Sequence, residues 1–115
     1  MRELASRFAC EKTNRVGDKQ TLRLLSQPVA RYESPTHGVT DGGLFVFAEA
    51  TDPEVFLLLE ARSAGGALEW QFGLARMVSV RVEVSYADKT VWEVDTLAYE
   101  DYRNRPELPY TLLAR

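Results

Sequence analysis

One cysteine, one histidine and no surplus of positive charge narrow the chemistry open to this chain of 115 residues. Cys10 alone cannot form an internal disulfide, so the chain lacks the stapling of small secreted domains and fits a reducing, cytoplasmic compartment. A histidine-based relay would have to assemble around Ser34, His37 and Asp41, and the sequence has no G-x-S-x-G elbow. Structural zinc takes several Cys or His ligands, so one of each implies no zinc site. Lys and Arg number 14 against 17 Asp and Glu, a net charge of -3. That balance points away from nucleic acid and anionic membrane as partners, because both recruit a basic surplus. No apolar run approaches the roughly 20 residues that cross a bilayer. Residues 1–8 carry Arg2, Glu3 and Arg7, which interrupt any signal-peptide core. Gly42-Gly43 and Gly65-Gly66 lack the pattern of a phosphate loop, and nothing implies a cofactor.

What the chain does have is alternation. With 45% hydrophobic and 27% charged residues it reads as one globular domain. Leu4, Ala5 and Phe8 sit at helical spacing, so residues 1–20 are expected as a short helix over 2–10 fraying into an arm. From Thr21 to the end, period-two patterning broken by turn residues predicts a single antiparallel β domain over 21–115. Strands are expected near 21–32, 43–50, 55–62, 67–76, 78–86, 90–96 and 109–114. Asp52-Pro53, Ser63 to Gly66 and Ala87 to Lys89 mark the turns. The expected fold is all-β: a small antiparallel β-sandwich or partly open barrel built from consecutive hairpins, with the chain changing sheets near Ala75 to Ser79.

Side chains alternate between faces, so register assigns each residue a side. A 51–54 turn that pairs Ala50 with Val55 puts Leu44, Val46, Ala48, Val55, Leu57, Leu59 and Ala61 on one wall. A 63–66 turn adds Leu68, Trp70, Phe72 and Leu74 to it. The second hairpin alternates Val78, Val80, Val82, Val84 and Tyr86 against polar residues. There, a three-residue loop at 87–89 points Trp92 inward opposite Val84, whereas a two-residue loop would turn it outward.

The opposite face of the first sheet then carries Phe45, Phe47, Phe56 and Leu58 beside Glu60, Arg62 and Glu69. In this register Glu60 lies across from Glu69, a like-charge pair that needs relief or has a use. Three readings follow. The N-terminal helix or the C-terminal segment with Tyr99, Tyr102, Leu108 and Tyr110 covers the phenylalanines. Alternatively, a protein partner or a second copy docks on them as a homo-oligomer, since apolar patches rimmed by charge mark such surfaces. In the third, Glu60 and Glu69 share a proton in the cleft of a small-molecule binder or hydrolase. Asp52, Glu54 and Asp88 would offer calcium hard oxygen ligands only if their turns met at one end, and no EF-hand spacing is present.

The stretches Asp41-Gly42-Gly43-Leu44-Phe45-Val46-Phe47, Thr51-Asp52-Pro53-Glu54-Val55-Phe56-Leu57-Leu58-Leu59-Glu60-Ala61-Arg62 and Trp70-Gln71-Phe72-Gly73-Leu74-Ala75-Arg76-Met77 resemble a family of small uncharacterised bacterial proteins. The resemblance covers about half the chain and implies a bacterial cytoplasmic source, with no activity and no site residue to carry over. The leading functional expectation is therefore a non-enzymatic binding or self-assembly module acting through Phe45, Phe47, Phe56, Leu58, Glu60, Arg62 and Glu69.

Overall fold

In the computed structural model the described residues are 1–97 and the strand 110–113. After a one-turn helix, α1 (Arg2–Ala5), the described residues form nine strands: β1 (Phe8–Thr13), β2 (Lys19–Leu24), β3 (Ala30–Ser34), β4 (Val39–Glu49), β5 (Asp52–Ala64), β6 (Ala67–Arg76), β7 (Arg81–Tyr86), β8 (Lys89–Val94) and β9 (Tyr110–Leu113). Every pairing is antiparallel. The strand order is β8-β7-β1-β2-β4-β5-β6-β9, with β3 continuing along β4. The result is one nearly closed, barrel-like sheet, so the expected all-β architecture holds.

Two places fold that sheet into layers. β2 pairs with β1 through Lys19 to Leu22, then with β4 through Arg23 and Leu24, so a single strand turns the corner. The second corner is the non-strand segment 77–80 between β6 and β7, where the sequence places the change of sheet. Arg76 clamps it from inside: its Nη1 donates to the carbonyls of Val80 at 3.1 Å and Asp95 at 2.6 Å. Burial lowers the Arg76 pKa, with the charge of Asp95 opposing.

The N-terminal expectation needs correction. The helix stops at Ala5, and residues 8–13 form β1, a strand flanked by β2 and β7. Phe8, Cys10 and Lys12 face inward in alternation, while charged Glu11 faces out beside Glu83. With three apolar residues in six, that strand does not stand out from a polar arm. The expected 21–32 strand is in fact β2 and β3, interrupted at residues 25–29 by a loop whose Leu25 and Val29 amides still donate to the Val46 and Leu44 carbonyls.

The wall shared by β5 and β6 is as the alternation predicts except at its end, where Leu68, opposite Ser63, is exposed. Val55, Leu57, Leu59, Ala61, Phe72 and Leu74 are buried together, and Trp70 points the same way opposite Ala61. The turn is shorter than expected: Gly65 and Gly66 both take positive φ, 56° and 85°, and Ala64 pairs with Ala67. This slides β6 by two residues, which keeps its faces but changes every partner.

β4 is where the expected faces fail. Its turn is Ala50-Thr51, with Glu49 across from Asp52, and a bulge places Phe47 opposite Val55. Phe45 and Phe47 therefore point into the core, at 0% and 1% exposure, and Leu44 and Val46 point outward. Phe45 and Phe47 join Phe8, Cys10, Leu22, Leu57, Leu59, Val82, Val84 and Trp92 between the layers, and Phe8 packs edge-on against Phe72 with ring centres 5.4 Å apart.

Trp92 does reach the interior opposite Val84, by a different route. The loop is the two-residue turn Ala87-Asp88, both at positive φ, and Val91 is bulged out between Thr90 and Trp92. The extra residue restores the phase that the shorter turn would have reversed.

Candidate functional site

The outward side of β4, β5 and β6 carries a shallow apolar depression of about 200 Å³ lined by Leu44, Phe56, Leu58, Gly73, Leu74 and Ala75. Leu44, Phe56 and Leu58 are half-buried, and Gly73, opposite Leu58 without a side chain, deepens the hollow. Of the residues expected here, Phe56, Leu58, Glu60, Arg62 and Glu69 lie on this face, whereas Phe45 and Phe47 are core. Leu44 and Ala75 take part instead: alternation assigns Leu44 to the inner wall, which the phase of β4 reverses, and assigns Ala75 to the bend between sheets, whereas it lies in β6 opposite Phe56.

A polar rim closes one end. Tyr32 Oη donates to Glu60 Oε2 at 2.5 Å, and Arg62 Nη2 donates to Glu60 Oε1 at 2.9 Å. Arg62 Nη1 also reaches the His37 carbonyl at 2.9 Å. Gly42 makes this reach possible: it pairs with both Tyr32 and Glu60, and a Cβ there would lie under 3.0 Å from three atoms of the Tyr32 ring. Tyr32 is the residue that the sequence reading missed, since nothing in the local pattern ties it to a carboxylate 28 positions away.

The carboxylate pair expected across this face is not formed. Because β6 slides by two, Glu60 faces Gln71 and Glu69 faces Arg62. Burial works to raise the Glu60 pKa, but hydrogen bonds from Tyr32 and Arg62, together with the Arg62 charge, outweigh it and hold the carboxyl below its usual value. Burial and the Glu60 bond both push the Tyr32 phenol upward. A carboxylate kept ionised and doubly bonded is unsuited to carry a catalytic proton, so the shared-proton reading loses its geometry.

A second charged cluster plugs one end of the barrel. Lys12 Nζ bonds Glu54 Oε1 at 2.9 Å and also Glu49 Oε2. Glu54 is the unpaired residue of the β4–β5 bulge and is 7% exposed. Burial disfavours the Lys12 ammonium, yet the two carboxylates outweigh it and raise its pKa. The turn carrying Asp88 belongs to the opposite end, where the Ala87 amide donates to the Arg7 carbonyl, so Asp52, Glu54 and Asp88 do not converge. Among the described residues no three His, Cys, Asp or Glu side chains are placed to hold a metal ion. His37 Nδ1 lies 2.7 Å from Ser34 Oγ within an exposed turn, with no carboxylate behind the ring among its hydrogen-bond partners. Cys10 is buried, and burial first, then Glu11 and Glu54, push its thiol up to about 12, which leaves it unreactive.

No protein-family model, curated protein or solved structure matches the chain. Among the described residues, no helix is long and apolar enough to cross a membrane.

Proposed function

We propose that this chain is a non-catalytic assembly module that pairs with a second copy of itself through the outward face of β4, β5 and β6. The observation that carries the reading is the depression between Leu44, Phe56, Leu58 and Ala75, bordered at one end by Tyr32 and Arg62, both bonded to Glu60. Apolar surface gains about 25 cal/mol per Å² when covered. A two-fold interface brings the same patch against itself. Glu60 is neutralised by Arg62 within each copy, so a self-contact meets no bare like charge there. A single cysteine, which leaves no internal disulfide to form, supports placing the protein in the reducing cytoplasm.

Sedimentation equilibrium from low micromolar to several hundred micromolar protein tests this. The wild type is expected to shift from monomer to dimer, and Leu58→Arg, on an outward strand position, to remain monomeric with an unchanged circular dichroism spectrum. A wild type that stays monomeric throughout removes the self-assembly reading.

A further inference from the structure

A second concavity lies at the α1 end of the barrel, where Leu4, Glu69, Trp70 and Tyr86 enclose about 350 Å³. Trp70 at the start of β6 and Tyr86 at the end of β7 are half-buried, and both line the cleft. Phe8 supports the Tyr86 ring from within, its centre 4.8 Å away and tilted by 55°. Glu69 is exposed. Arg62, its partner across the ladder, spends its guanidinium on Glu60 and the His37 carbonyl, so Glu69 has no ion pair among the described residues.

Two aromatic rings, an aliphatic floor and a carboxylate with no ion pair among the described residues form a complementary set. The ring faces attract a cation through their quadrupoles, the carboxylate supplies net negative charge, and Leu4 favours an apolar skin over a hydrated one. From this geometry we infer that the cleft binds an alkylated ammonium group. A bare ammonium or metal ion would have to shed a tightly held hydration shell against carbon, which an alkylated head does not. Lys89 pairs with Tyr86 across the β7–β8 ladder but is exposed and does not line the cleft. This inference does not rest on the self-assembly reading; of the cleft residues, Glu69 alone belongs to that face.

Choline and its neutral carbon isostere 3,3-dimethylbutanol are the probes, followed by the two indole N–H signals in a ¹⁵N-correlated spectrum. Choline is expected to move the Trp70 signal saturably while that of Trp92, buried in the core, stays. The isostere should bind at least about two- to fivefold more weakly, the factor a partly exposed cation–π contact supplies. Glu69→Gln, on an exposed side chain, should weaken choline by a similar factor and leave the isostere unchanged. Lys89→Ala should bind choline at least as tightly as the wild type. A Trp70 signal that does not move with choline, or that saturates equally with the isostere, overturns the proposal. Equal choline affinity in Glu69→Gln overturns it as well.

Discussion

Gly42 faces outward beneath the Tyr32 ring, whereas its neighbour Gly43 faces the interior against Met1. A Cβ at either position would come under 3.0 Å from another atom. At Gly42 the obstacle is a rigid ring held by its bond to Glu60, but at Gly43 it is the Sδ of a flexible side chain. Gly42→Ala should therefore cost about 1–3 kcal/mol, as overpacking does, while Gly43→Ala moves Met1 aside and costs less. The pH response separates the two further. The Tyr32 pKa is raised above the ordinary 10.0, so its contribution to stability is complete below that value and is lost as pH rises through the folded-state pKa. The Glu60 pKa is lowered from 4.5, so its contribution is present above that value and fades as pH falls through the folded-state pKa. In Gly42→Ala, urea denaturation should lose much of this dependence at both extremes. Tyrosinate absorbance should also show one phenol fewer resisting ionisation. A Gly42→Ala protein with the wild-type alkaline titration would mean that the ring does not depend on the glycine.

Strand β5 does two jobs, and only one of them could be read from the sequence. Its odd residues from Val55 to Ala61 build the wall with Phe72 and Leu74, and strict alternation against Glu60 and Arg62 makes that face unmistakable. The phase of β4 was not legible, because Leu44, Phe45, Val46, Phe47 and Ala48 are apolar on both sides and only turn length and a bulge decide which side goes in. The same bulge re-aims Glu54. In unbroken alternation it would fall on the face opposite Val55; as the extra residue it meets inward-facing Lys12. The site divides along the same line: alternation in β5 sets Phe56, Leu58, Glu60 and Arg62 outward as observed, whereas the bulge turns Phe45 and Phe47 of β4 into the core. Lys12→Met tests the role of the bulge, because it strands a carboxylate whose side chain is 9% exposed. Since one partner of a largely buried pair is removed, a loss of about 3 kcal/mol in urea denaturation is expected. Adding Glu54→Gln should recover part of it. A loss under about 1 kcal/mol, the worth of a surface pair, would show that the bulge does not turn Glu54 inward.

Across the whole molecule, the first strand sits among strands from distant parts of the chain: Cys10 lies between Leu22 of β2 and Val84 of β7. It also brings Phe8 and Cys10 to the core and Lys12 to the barrel end. If residues 1–20 were an arm, their loss would leave a self-sufficient β domain. In the observed topology, removing residues 1–13 strips a central strand and leaves two sheet edges exposed, at β2 and β7, both of which can pair with other chains. It also removes three buried core side chains, Ala5, Phe8 and Cys10, and burying a large side chain such as Phe8 contributes about 1.5–3 kcal/mol. Against a typical domain stability of about 5–15 kcal/mol, that loss together with one whole ladder on each side cannot be absorbed. The truncated chain is expected to lack a cooperative urea transition. In a Trp70→Phe background, fluorescence from Trp92, which packs across from Val84 on β7, should shift to the red as the layer opens. A truncated protein with the wild-type midpoint and blue-shifted Trp92 emission would return the first 20 residues to the status of an arm. It would also undo the layer order on which both the assembly face and the aromatic cleft are placed.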